Sequence, residues 1–147
     1  MTFQKDFKNN SQNNSNFILG PFQKEWLNRL ESFPERQHKG RLGRKTDDGY
    51  KACCIGEAAL VCGEGYFDNI GFLHTNSLEV EGVSSSNGLL NYNKMGLFGP
   101  EGPLKDTVVV KGETCGFLSV LNDLHMTWPE IAAYIRANPE NVFEKSC

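Results

Sequence analysis

Apolar residues recur with helical spacing in the first and last thirds of the chain, and lose that period between them. Phe22, Trp26, Leu30 and Phe33 fall at i, i+4, i+8 and i+11, one stripe of a helix that Gly20-Pro21 opens and Pro34 ends. Proline suits the first helical position because its missing N–H has no intrahelical partner there. Tyr50 to Gly63 reads as a strand leading into a short helix, with Cys54, Ala58 and Val61 or Cys62 on one face and Gly63 as its C-cap. Further along, Thr114 to Asp123 places Phe117, Leu118, Leu121 and Leu124 on one helical face. A second helix is announced by Thr127-Trp128-Pro129-Glu130, a capping box with proline in the first turn. Trp128, Ile131 and Ile135 form its inward stripe, and Asn138-Pro139 stops it. Joined at Leu124-His125-Met126, the two helices make an αα-hairpin.

Residues 64–113 differ: Gly, Asn and Ser recur and the helical period vanishes. Leu78, Val80 and Gly82 alternate as a half-buried strand would, Leu89-Leu90 is a short apolar run, and Thr107 to Val110 is β-branched. Gly96 to Pro103 is turn-rich. These features predict a small, irregular antiparallel sheet. The whole reads as a single α+β domain over residues 20–147, made of an N-terminal helix, a Cys-bearing central helix, the small sheet and the αα-hairpin. Residues 1–19, with Asn9, Asn10, Ser11, Gln12, Asn13, Asn14, Ser15 and Asn16, cannot offset their own ordering entropy and are expected to form a disordered polar tail. Within it Phe17-Ile18-Leu19 can dock as a short edge segment.

A chain of 147 residues is enough for one such domain, and ten Phe, four Tyr and two Trp supply its large core side chains. No run approaches the roughly 18 consecutive apolar residues of a membrane span. The first 20 residues lack the apolar centre of a signal peptide. A cytoplasmic protein with reduced thiols is therefore expected, without a membrane partner. Its five cysteines (Cys53, Cys54, Cys62, Cys115 and Cys147) contain no second CxxC pair, and its three histidines are scattered singly. That pattern lacks the clustered ligands of structural zinc, and neither a metal nor another cofactor is implied.

Two groups of residues carry candidate chemistry. Residues 35–49 read as a loop in which Arg36, His38, Lys39, Arg41, Arg44 and Lys45 are interrupted by Gly40 and Gly43 and closed by the turn Asp47-Asp48-Gly49. Such clustering against a net charge of −3 is local, and guanidinium groups beside glycine N–H groups suit phosphate. Arg41, Arg44 and Lys45 are expected to converge on an anion, with Tyr50 beyond them placed to stack on a ring. Extended nucleic acid is disfavoured, because a lone loop without a basic face gives little salt-dependent affinity. The second group is Cys53 and Cys54 at a helix start near Lys51, where a thiol could be activated as a nucleophile. The competing reading makes Cys54 and Cys62 small buried core residues. His125 is read as a packing or capping histidine, and Glu130 as part of the capping box.

The order of these features resembles a family of small phage-, prophage- and bacterium-encoded proteins with no assigned activity. It covers about residues 22–143 through Asp48-Gly49-Tyr50, Cys53-Cys54-Ile55-Gly56, Cys62, Gly96-Leu97, Leu121-Asn122-Asp123 and Thr127-Trp128-Pro129-Glu130-Ile131-Ala132. Lys51-Ala52, standing between Tyr50 and the Cys pair, departs from the family's pattern, as does the asparagine-rich tail. The leading expectation is a non-enzymatic binding protein for a small anionic, nucleotide- or phosphate-like ligand. The phage setting implied by the resemblance adds sequestration of a host signalling nucleotide as one form of it. The alternatives are a cysteine-dependent enzyme and a protein-interaction module for an acidic partner; a homo-oligomer is compatible with each.

Overall fold

The computed structural model describes residues 16–75 and 92–147. Helix α1 (Pro21–Ser32) starts at the expected proline, and Phe33 forms its C-cap ahead of a 3-10 turn at Pro34–Arg36. Its buried stripe is Gln23, Trp26, Leu27 and Leu30, whereas Phe22 is 40% exposed. The stripe is turned by one residue from the expected one because the Gln23 amide has work to do inside. Its Oε1 accepts from Gly20 N–H (2.9 Å), and its Nε2 donates to the carbonyls of Met95 (2.9 Å) and Lys145 (2.8 Å). A buried amide so fully paired loses little by leaving water.

The second half of the expected loop over residues 35–49 is instead part of a hairpin. Strands β1 (Gly43–Thr46) and β2 (Gly49–Ala52) pair antiparallel, with Arg44 opposite Lys51, Lys45 opposite Tyr50, and Asp47-Asp48 as the two-residue turn. Gly49 supplies a φ of 145°, which side chains disfavour, so the Asp-Gly turn signal was sound and its flanks were longer than expected. Helix α2 (Cys54–Val61) follows directly. Gly63, at φ 72°, ends it in a Schellman arrangement in which Glu64 N–H reaches Ala59 O (2.8 Å) and Gly63 N–H reaches Leu60 O (3.2 Å).

Strands β3 (Gly65–Phe67) and β4 (Leu73–Thr75) form a second hairpin. Phe72, just ahead of β4, makes a single antiparallel bridge with Arg44, and with Lys45 N–H donating to Gly71 O (2.7 Å) this sets the two two-stranded sheets side by side, with β4 next to β1. After the four-residue helix α3 (Tyr92–Met95) come β5 (Pro103–Val110) and β6 (Glu113–Phe117), a third hairpin whose register slips between Pro103 and Val108. At that slip the Asn141 side chain accepts from Asp106 N–H (2.7 Å) and donates to Asp106 O (3.0 Å). The expected strand at Leu78–Val80, the Leu89-Leu90 run and residues 1–15 of the polar tail lie outside the described residues. Phe17-Ile18-Leu19 docks on the domain as expected, with Phe17 and Leu19 packed against the core. Phe17 stacks on Phe143 with ring centroids 5.7 Å apart, and Ile18 O accepts from Ser146 Oγ (2.5 Å).

A helix over Thr114 to Asp123 does not form. Residues Glu113–Phe117 are strand, and only α4 (Leu118–Val120) and a π-helical turn (Leu121–His125) coil beyond it. Leu118 and Leu121 are buried as expected, but Phe117 (42% exposed) and Leu124 (65%) are not. The β-branched run of β5 needs a pairing partner, and residues 113–117 supply it at the expense of a helix. Helix α5 (Trp128–Ala137) matches expectation: Thr127 Oγ1 accepts from Glu130 N–H (3.3 Å), Glu130 Oε1 accepts from Thr127 N–H (2.9 Å), and Trp128, Ile131 and Ile135 are buried. Asn138 ends it before the short helix α6 (Pro139–Val142). The result is a single α+β domain with small antiparallel sheets. Its core lies between α1, α2 and α5, and the first arm of the C-terminal hairpin is far shorter than expected.

Asn122 is fully buried in the π turn and joins three parts of this fold. Its Oδ1 accepts from Cys54 N–H (3.0 Å) and Trp128 Nε1–H (3.1 Å), and its Nδ2 donates to His38 O (2.8 Å). Gln37 braces the same point, donating to Met126 O (2.8 Å) while accepting from Trp128 N–H (3.0 Å). Asn122→Ala strands several buried donors, each costing about 1–3 kcal/mol, so denaturant unfolding should show a loss of about 3–5 kcal/mol. Thr127→Ala, which removes an exposed cap, should lose only about 0.5–2 kcal/mol by the same measurement.

Candidate anion-binding site

Side chains alternate across a strand, and in the first hairpin that alternation sorts the basic residues onto two faces. Arg44 and Lys51, cross-strand partners, share the outer face and are exposed. Like charges directly opposite one another repel, so the contact between the pair itself does not stabilise the hairpin. Arg41 joins them, its guanidinium 4.3 Å from the centroid of the Phe72 ring. Among the described residues, none of the ion pairs includes Arg41, Arg44 or Lys51. His38 feels all three. Its pKa is lowered first by burial, then by the fields of Arg44, Arg41 and Lys51, against a smaller opposing pull from Asp123.

Lys45 and Tyr50 take the opposite face. Lys45 Nζ lies 5.6 Å from the Phe67 ring centroid, and the Tyr50 ring packs on Phe67 at 5.8 Å. Tyr50 is committed to structure: its hydroxyl donates to the fully buried Glu57 carboxylate (2.8 Å) and accepts from Arg36 Nη1 (3.2 Å). Burial, reinforced by the Glu57 hydrogen bond, pushes the Tyr50 phenol up to about 12. Arg29 Nη1, 3.1 Å from Glu57 Oε2, balances the buried charge. The four expected ligands therefore do not converge. Arg41 and Arg44 share a face with Lys51 and lie near His38, while Lys45 and Tyr50 face the other way. Lys51 could have been found by extending the Asp-Gly turn into a hairpin and pairing Arg44 across it; Phe72, 28 positions beyond Arg44, leaves no local signal.

The cysteine pair sits at a helix start, as expected, but is used to build it. Cys53 is the N-cap of α2, its sulfur accepting from Gly56 N–H (3.3 Å). The Cys54 thiol donates to Leu118 O (3.7 Å). Burial pushes the Cys53 thiol up to about 11 and Cys54 well above its ordinary value. Gly56 completes the motif, since a Cβ there would collide with the Leu42 carbonyl oxygen. Cys62 is likewise buried and its thiol pushed up to about 11, chiefly by desolvation. A nucleophilic cysteine needs its thiolate, and both members of the pair are held as thiols. Among the described residues, no three His, Cys, Asp or Glu side chains group as a metal site, and no helix is long and apolar enough to cross a membrane.

No protein-family model, curated protein or solved structure matches this chain.

Two measurements check this arrangement. With a Cys53 pKa of about 11, only about a thousandth of that thiol is ionised at pH 8, so a thiol reagent should modify Cys147 quickly and the buried four only on unfolding. In an NMR titration, His38 should protonate below the usual histidine range, and Arg44→Ala should move it back upward. The folded-state pKa is the lowered one, so His38 contributes stability that is present above pH 6.5 and is lost as pH falls through its folded value.

Proposed function

We propose that the protein is a non-enzymatic binder of phosphate-bearing, nucleotide-like anions, with Arg41, Arg44 and Lys51 as its ligands. One observation carries the reading: three cations stand on one exposed face of a hairpin, two of them directly opposite each other, with no acidic partner among the described residues. Their mutual repulsion is relieved when an anion arrives. Arg41 is held against Phe72, which lowers the entropy lost on forming its contacts. Guanidinium forks grip phosphate through two N–H groups at once, and Lys51 adds a point charge. The cysteine alternative has less support: the Cys53 sulfur caps α2, the Cys54 thiol donates to Leu118 O, and burial pushes both thiols up.

Calorimetric titration with ATP and with inorganic tripolyphosphate tests the proposal. Each lost charge-assisted contact is worth about 1.5–3 kcal/mol, so Arg44→Ala and Lys51→Ala should each weaken binding roughly tenfold or more. Arg44→Lys should weaken it less, and Lys45→Ala, on the other face, should leave it unchanged. Absence of binding by the wild type, or equal binding by all variants, rejects the reading.

A further inference from the structure

The cationic face does not end at the first hairpin. The Arg44–Phe72 bridge carries it across β4 to β3, and paired positions in an antiparallel ladder point the same way. Phe72 therefore lies on the face of Arg44, and His74, two residues on, lies there too. Tyr66 pairs with His74 across the second hairpin, and their rings stack at 5.4 Å with planes 22° apart. Tyr66 is 49% exposed, and His74 is exposed beside it. The inner positions of the same strands, Leu73 and Thr75, are buried. Across one outer surface thus run Lys51 and Arg44, then Phe72 under Arg41, then His74 and Tyr66. The nearby Asp68 is an acidic group on this surface, paired with His74 and with none of the three cations. Its carboxylate pairs with His74 Nε2 (2.6 Å) and accepts from the N–H groups of Ile70 (3.0 Å) and Phe72 (2.9 Å), which holds the imidazole and the turn in place.

We propose that the outer face of the two adjoining hairpins binds single-stranded nucleic acid, with Arg41, Arg44 and Lys51 on the phosphates and the open face of the Tyr66–His74 stack against a base. This rests on the anion-binding reading and names the class of anion. A sheet surface with cations at one side and exposed rings at the other matches a strand whose charged backbone and flat bases are both available. A duplex hides its base faces, and an acidic peptide offers the rings nothing to stack on. The two hairpins meet at one bridge, and strands about 4.8 Å apart within each leave room for a few nucleotides at about 3.4 Å each. Extended nucleic acid is disfavoured only for basic residues on a lone loop without a basic face. Folding turns them into a basic face beside aromatic rings.

Fluorescence anisotropy with labelled dT12 and rU12, a 12-base-pair duplex and polyglutamate tests the proposal, each variant being checked for an unchanged melt. The wild type should prefer the single strands. Three phosphate contacts should give a slope of log affinity against log salt of about −2. Tyr66→Ala should weaken dT12 roughly fivefold to a hundredfold, Tyr66→Phe should restore most of that loss, and neither should alter tripolyphosphate binding. Equal binding of duplex or polyglutamate, with Tyr66→Ala indifferent, overturns the single-strand proposal and leaves the anion reading standing. Failure of the wild type to bind dT12 while it binds tripolyphosphate has the same meaning. Failure to bind any of these anions overturns both.

Discussion

One amide holds the geometry together. Asn122 lies where the segment ahead of β1, the start of α2 and the start of α5 meet, and it gives each a hydrogen bond that no water could reach to replace. A π turn is the local cost of placing it there, because widening the coil aims a side chain that a regular helix would direct elsewhere. Its neighbour Asp123 extends the joint outward by accepting from Gly40 N–H (3.0 Å), which fixes the approach to the first hairpin. The position of Arg41, one residue past Gly40, is thereby tied to the core, although its own side chain lies at the surface.

The buried Glu57 network does complementary work beneath the same hairpin. Glu57 lies on α2, yet its carboxylate accepts from Arg29 on α1 and Tyr50 on β2, so three elements share one charge. Removing any member leaves the others unpaired in a poorly solvated place, which makes the set cooperative rather than additive. Because Tyr50 is pinned inward by Glu57, strand alternation sends Lys51 outward, and the pairing register brings Arg44 out beside it. The exposed cationic pair is thus a consequence of a buried anion.

Caps and turns were legible in the sequence because their chemistry is local. Thr127 with Glu130, Gly63 after α2, and Asp47-Asp48-Gly49 each act within a few residues, and each appears where its residues place it. Non-local pairing was not legible. Residues 113–117 carry helical spacing and form a strand because Val108 to Val110 stand opposite. Phe22 looked like a core residue, but Gln23 takes the inward position because two distant carbonyls wait for its amide. The basic residues were recognised individually, while their division between two faces depended on a strand pairing that composition does not encode. Arg41 and Arg44 kept company with Lys51 rather than with Lys45 and Tyr50 for that reason.

Two-stranded sheets expose edges, and an exposed edge invites a strand from another molecule. At the slip in β5 the protein answers with a single side chain. The Asn141 amide presents a donor and an acceptor to Asp106 in the manner of a neighbouring backbone, so both polar groups of that residue are already taken. An incoming chain running along this edge would lose its ladder at that point. One residue of a four-residue helix thus stands in for a strand at the place where β5 has lost its own partner.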